Sequence, residues 1–231
     1  MNKNFKISNI EDWNSLLEDA KNGNSDAMNE VALYYRDGLT LNDIEVIKPN
    51  PKQAIEWTKK SYESGNIEGM VNYADYLSDG DYLYCEKNID LAMKLYEEAI
   101  EKGSTTAIHN LALEFRNKQN FQKAFELYQK ANRSNEFYPE LTIGLCYYYG
   151  IGVVKDKLKA FEIFKTIEKG KHNDYEVDEA NYLIGKIYLD GEIVEQSIEK
   201  ARYYLELADT DGDHRSAQEL LILIGRTKFI N

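Results

Sequence analysis

A chain of 231 residues can bury a substantial core, and 43 % hydrophobic with 29 % charged residues describes a folded, water-compatible protein. Its formal net charge of −12 argues against nucleic acid as the main ligand, because phosphate binding needs clustered Lys and Arg. The same charge is compatible with a basic protein partner drawn in by electrostatic steering.

Prolines are rare, at Pro49, Pro51 and Pro139, as expected of a mostly helical chain. Asn9 or Asp12 is placed to cap a first helix through Lys21, with Trp13, Leu16, Leu17 and Ala20 as its buried stripe and Gly23 as its end. SDAMNEVALYYRDG follows, with Ser25 as N-cap, Ala27, Val31, Ala32 and Tyr35 on one face, and Gly38 as the stop. A long polar connection over residues 40–50 leads to Pro51 in the first turn of a helix that carries Ala54, Trp57 and Ser61. The next pair puts Tyr73, Ala74 and Leu77 on one arm and Ala92, Leu95, Tyr96 and Ala99 on the other. Then come Ala107, Leu111, Ala112 and Phe115, answered by Ala124, Leu127, Tyr128 and Ala131. ELTIGLCYYYGIGVVKDKLKAFEIFKTIEK (140–169) is the most regular pair, with Ile143, Gly144 and Tyr147 before the glycine turn and Ala160, Ile163, Phe164 and Ile167 after it. Ala180, Ile184, Gly185 and Tyr188, then Ala201, Tyr204, Leu205 and Ala208, form the last full pair. A final arm carries Ala217, Leu220, Leu221 and Ile224, with Arg226 and Lys228 suited to a helix C-terminus.

These arms repeat. A small residue recurs in each first arm at Ala32, Ala74, Ala112, Gly144 and Gly185, at intervals of 42, 38, 32 and 41. An alanine recurs in each second arm at Ala54, Ala92, Ala124, Ala160 and Ala201. Small residues let two helices approach closely, and an aromatic one turn later fills the space beside them. The expected fold is all-α: an α-solenoid of antiparallel helical hairpins forming one domain over 1–231. Residues 1–23 are its N-terminal cap, 24–214 its five hairpins and 215–231 its C-terminal cap.

The spacing between paired small residues is 22, 18, 12, 16 and 16. A spacing of 12 is similar to the tetratricopeptide repeat. A spacing of 16 with Gly-x-Gly-Val between the arms resembles the Sel-one-like repeat, whose pattern is matched by Gly144, Tyr147, Gly150, Gly152, Val153, Asp156, Lys159 and Ala160. Gly185, Tyr188, Gly191, Lys200 and Ala201 match it again. The resemblance covers roughly residues 24 to 225 and departs in the long first loop and in the tetratricopeptide-like middle pair.

No constellation points to catalysis, and no cofactor or metal is expected. GIGVV at 150–154 lacks the preceding strand and third glycine of a dinucleotide loop, since position 155 is Lys155. DTDGDH at 209–214 has its glycine too early for a calcium loop and reads as an inter-repeat turn. His109, His172 and His214 fall in different repeats and read as isolated surface or concave-face residues, not ligands. Acid groups such as Glu176, Asp178 and Glu179 read as solvated. Cys85 and Cys146 make neither a disulfide framework nor a ligand set, and Cys146 reads as core. The opening MNKNFKISNIEDWN lacks a signal-peptide apolar region and no run reaches the length of a membrane span, so a cytoplasmic location without membrane contact is expected.

In stacks of the tetratricopeptide type the first arms line the concave face. The resemblance therefore implies a partner-binding groove built from Asn29, Leu33, Arg36, Asp75, His109, Arg116, Leu145, Tyr148, Tyr182 and Lys186, with the 40–50 loop as a second surface. Among the 18 tyrosines, Tyr147, Tyr148 and Tyr149 are consecutive, and Tyr148 is the one expected to face outward toward a partner. The resemblance implies a non-enzymatic scaffold for a protein or peptide. Two uses are expected: an immunity or antitoxin-type protein that occludes a basic toxin, or a regulatory or assembly adaptor. An enzyme with its site in the groove is the rival class.

Overall fold

The computed structural model describes residues 5–80, 83–132 and 139–226. Among these, twelve helices follow one another: α1 Ile10–Lys21, α2 Ser25–Asp37, α3 Pro51–Glu63, α4 Ile67–Asp79, α5 Ile89–Glu101, α6 Thr105–Asn117, α7 Phe121–Asn132, α8 Glu140–Tyr149, α9 Lys157–Phe164, α10 Asp174–Asp190, α11 Ile198–Ala208 and α12 Arg215–Arg226. Lys228 lies outside the described residues. The chain falls into two compact units, Met1–Glu114 and Phe115–Asn231, with the boundary inside α6.

Apart from α8, whose N-cap residue Pro139 makes no side-chain cap, the arms are started by a side chain that accepts a hydrogen bond from an otherwise orphaned backbone N–H. In the second arms the cap sits four residues before the recurrent alanine. Asn50 accepts from Gln53 at 3.1 Å, Asn88 from Leu91 at 3.0 Å, Asn120 from Lys123 at 3.3 Å, Asp156 from Lys159 at 2.9 Å and Ser197 from Lys200 at 3.2 Å. Among the first arms, α2 is capped by Asn24, one residue earlier than the Ser25 that the sequence suggested, and α4 by Asn66. A reciprocal capping box of Asn173 and Glu176 starts α10.

All ten recurrent small residues are buried. Two of them show why they are small. A methyl group on Gly144 would overlap the Phe164 ring, and one on Gly185 would lie 2.8 Å from Leu205 Cγ. The backbones of α8 and α10 therefore approach their partners α9 and α11 as closely as a glycine allows. In the first unit the α1–α3 end is closed by Trp13, Leu16, Ala20, Ala27, Met28 and Val31. Trp13 meets Tyr34 and Tyr35 edge-on at 5.8 and 5.7 Å. In the second unit α12 buries Ala217 and Ile224 against Leu205 and Ala208.

Two segments differ from expectation. The 40–50 connection contains a β-hairpin, β1 Leu39–Leu41 paired antiparallel with β2 Ile44–Ile47, in the register Thr40↔Glu45 and Leu41↔Ile44. Asn42 and Asp43, both at positive φ (49° and 63°), make its two-residue turn. Leu39 and Ile47 pack against the Trp13 cluster and anchor its base. The second is α9, which stops at Phe164 although the apolar period continues to Ile167. Thr166 donates its hydroxyl to the Ile163 carbonyl at 2.7 Å, which closes the last turn.

Candidate partner-binding face

In the first unit the first arms α2, α4 and α6 are joined side chain to side chain. Asn72 Nδ2 donates to Asn29 Oδ1 at 2.9 Å, and Asn66 Nδ2 to Asp26 Oδ1 at 2.7 Å. Between α4 and α6, Asn110 Nδ2 donates to Asp75 Oδ1 at 2.8 Å and Ser78 Oγ to Glu114 Oε1 at 2.5 Å. The Tyr96 hydroxyl of α5 donates to the same Asp75 oxygen at 2.6 Å. This polar ladder fixes the spacing of the three arms without closing them into an apolar seam.

The charge on this face is under-compensated. Burial, with Glu68 and Asp26 nearby, pushes the Glu30 carboxyl up. Burial pushes Asp75 up too, although its two hydrogen bonds pull the other way. Arg36 is held bidentate by its neighbour Asp37, with both contacts at 2.8 Å.

The acidity is not diffuse over the sequence. Residues 1–114 carry 11 Lys and Arg against 21 Asp and Glu, whereas 115–231 carry 17 against 19. The net charges are −10 and −2, so nearly all of the acidic excess belongs to the first unit.

The structure sorts the sequence-derived candidates. In the first unit Asn29 is buried and spent on the ladder. Asp75 is part of the same ladder, Leu33 and His109 are half-buried, and Arg36 is exposed. In the second unit Arg116 is exposed, and Leu145, Tyr182 and Lys186 are half-buried. Tyr148 departs from expectation: it is 4 % exposed, its ring 4.9 Å from Tyr149 and 6.3 Å from Phe164, with Lys157 Nζ over it at 5.6 Å. Tyr149 is the outward member of the three, 55 % exposed. Tyr147 and Tyr148 are both buried, Tyr147 against Phe125 and Tyr148 near Phe164.

Two histidines are also paired, not isolated. His172 is buried and sits 3.3 Å from Glu140. His214 lies 3.4 Å from Glu179, meets the Tyr182 ring at 4.9 Å with the planes tilted by 32°, and caps α12 by accepting from Ala217 N at 3.2 Å. In the 209–214 turn Asp209 accepts from His214 N and Gln218 Nε2, each at 2.9 Å, which accounts for that aspartate within the turn. Burial pushes the Cys146 thiol up to about 11. Missing from the candidates were Asn72 and Asn110, which form the ladder. Their signal was available, since each lies two residues before the recurrent alanine of its arm.

Family-level comparison returns the same periodicity. The Sel1 repeat model matches residues 25–66, 67–104, 106–135, 143–166 and 178–208. The chain belongs to the Sel1 repeat family. The middle pair, with its short spacing, is one of the matched Sel1 repeats.

Among solved structures, a Sel1 repeat protein from Oxalobacter formigenes superposes with a TM-score of 0.72 at 21 % identity, covering 91 % of this chain and 82 % of that one. The c5321 protective antigen of uropathogenic Escherichia coli gives 0.69 at 25 % identity, covering 91 % of this chain and 43 % of the antigen. Among curated proteins, the photosystem I assembly protein Ycf3 of Synechococcus sp. (strain CC9311) is 36 % identical over 85 residues, 35 % of this chain and 48 % of that protein. The chain thus spans less than half the length of the antigen and matches about half of the assembly protein. Sel1 repeat proteins are protein–protein interaction scaffolds, generally without enzymatic activity. Among the described residues, no helix is long and apolar enough to cross a membrane.

Proposed function

We propose that this Sel1 repeat chain is a non-enzymatic scaffold that holds a basic protein partner on the first-arm face of its first unit. The polar ladder across α2, α4 and α6 carries the reading. It is a preformed row of amides and carboxylates, with raised Glu30 and Asp75 carboxyls, in the unit that holds nearly all the net charge. A cationic partner would relieve the repulsion that this row sustains and would be steered toward it.

Affinity capture from the native organism tests this. Leu33→Ala combined with Glu30→Gln should lose the captured protein, whereas Lys59→Ala with Glu97→Ala, on the second arms, should keep it. The reverse pattern would move the site to the second-arm face. Capture should also weaken as salt rises. The neighbouring gene separates the two uses of such a face: a toxin-like reading frame beside it narrows the scaffold to an immunity or antitoxin-type protein, and its absence leaves a regulatory or assembly adaptor. Turnover on generic hydrolase substrates would overturn the scaffold reading.

A further inference from the structure

Between α2, α3 and α4 the first unit holds a cavity of about 200 Å³, lined by Ala32, Leu33, Arg36, Thr58, Asn72, Asp75, Tyr76 and Asp79. It is smaller than the roughly 300–1,000 Å³ of drug-sized ligand pockets, so it suits one side chain and not a whole small molecule.

It holds two carboxylates against one cation, and its amide and hydroxyl groups can accept as well as donate. Asn72 gives one of its two amide N–H donors to Asn29, and its carbonyl oxygen is an acceptor with no bond among the described residues. Asp75 receives both of its donors on Oδ1, and its Oδ2 has no hydrogen bond. Thr58 is 2 % exposed, yet its hydroxyl has no partner among the described residues and is not sealed off from solvent. Asp79, exposed at the rim, makes no ion pair there. The one cation in the lining, Arg36, is chelated by Asp37; its charge still lowers the Asp75 carboxyl, but less than burial raises it. Ala32, Leu33 and Tyr76 supply an apolar wall.

We propose that this cavity is the anchor pocket for a lysine side chain of the partner, with its methylenes against Leu33 and Tyr76 and its ammonium among Asp75 Oδ2, Asn72 Oδ1, the Thr58 hydroxyl and Asp79. The proposal rests on the reading of the first-arm face as the partner surface. Lysine is favoured over arginine on geometry. A guanidinium is best met by both oxygens of one carboxylate; inside the pocket Asp75 has one to offer and only Asp79, at the exposed rim, has two, whereas an ammonium is a point charge with three donors that single acceptors around it can satisfy.

The raised Asp75 carboxyl fits a site built for an absent cation. Above the ordinary carboxylate range and up to its raised value, the folded chain keeps a proton that the unfolded chain has released. Stability therefore falls as pH rises through that window. Asparagine at 75 would remove that loss while its carbonyl still accepts from Tyr96 and Asn110.

The test is an amide NMR titration of the full chain with N-acetyl-lysine methylamide, its norleucine analogue (no ammonium) and its arginine analogue. Lysine should give saturable shifts centred on Leu33, Asn72 and Tyr76, norleucine should not, and arginine should bind more weakly. Asp75→Asn should weaken lysine binding about tenfold or more and raise the melting temperature at pH 7, with the gain shrinking toward pH 4. Asp79→Asn, at the exposed rim, should weaken binding without altering melting. Equal shifts from norleucine, tighter arginine binding, or unaltered lysine binding by Asp75→Asn and Asp79→Asn would overturn the pocket. If Leu33→Ala with Glu30→Gln abolishes capture while the lysine probe fails, the pocket falls and the face stands. If the probe binds but that pair of substitutions leaves capture intact, the face falls.

Discussion

The two units use the same repeat with different side-chain contacts between their helices. In the first, α2, α4 and α6 meet through Asn29–Asn72, Asp75–Asn110 and Ser78–Glu114. In the second, α8 presents Leu141, Leu145 and Tyr148, and α10 presents Tyr182, Lys186 and Leu189. In the second unit rings join α9 to α10 and α10 to α11. Phe161 meets Tyr188 edge-on at 5.6 Å, and Tyr188 stacks on Tyr204 at 5.8 Å. What the units share is the crossing within each hairpin and the caps that start each arm. The lesson is that the repeat specifies how two arms of one hairpin meet and leaves free how successive first arms meet. Polar contacts there, as in the first unit, leave a face that still has hydrogen-bonding capacity.

The largest expected effect that would break this comparison is Phe164→Ala. Phe164 is 1 % exposed and fills the space that Gly144 leaves, so its loss should cost about 3–5 kcal/mol in urea unfolding. A loss under ~1 kcal/mol would show that the second unit does not depend on that crossing. Gly144→Leu attacks the same contact from the other side and should cost about 1–3 kcal/mol by overpacking; a variant as stable as the parent would mean the helices separate freely. Next comes the ladder. Asn29→Ala and Asn72→Ala should show a coupling of about 0.5–1.5 kcal/mol in a double-mutant cycle, the ordinary worth of one hydrogen bond. No coupling would make the polar row a surface coincidence. Smallest is Arg116→Ala, exposed at the end of α6, whose melting should stay within ~0.5 kcal/mol of the parent. Tyr148→Ala should not behave this way: with its ring buried, it should destabilise by an amount nearer the Phe164 change.

Cys146 sharpens the same picture on a slower axis. It is 7 % exposed with its thiol pushed up to about 11, so at pH 8 it should react slowly with a disulfide reagent in the native state and quickly in denaturant. Fast native labelling would show that α8 opens.

Much of the fold was legible because a packing requirement recurs at fixed intervals. Alanine or glycine at ten aligned positions follows from close crossings, and all ten are buried. The hairpin of β1 and β2 was not legible, because strands of three and four residues give too little alternation and Asn-Asp is a weaker turn signal than Asn-Gly. The early end of α9 was missed because apolar periodicity continues past it to Ile167, and the stop is made by the Thr166 side chain. At the candidate face, which arm faces which way could be read, but not burial. Helical phase alone places Tyr148 outward, whereas its ring is covered by Tyr149, Phe164 and Lys157. Asn29 is likewise on the expected face but consumed by Asn72, a partner 43 residues away that only the repeat register, two residues before Ala74, points to.

The β-hairpin between α2 and α3 has a practical consequence. Its tip, Asn42 and Asp43, is fully in water, while Leu39 and Ile47 tether its base to the Trp13 cluster. Extra chain at the tip would lengthen a loop whose ends are already held, and each doubling of such a loop costs only about 0.6 kcal/mol. A peptide tag or fluorescent reporter inserted there would ride on the scaffold with the helical arms undisturbed, offering an attachment point away from both chain termini.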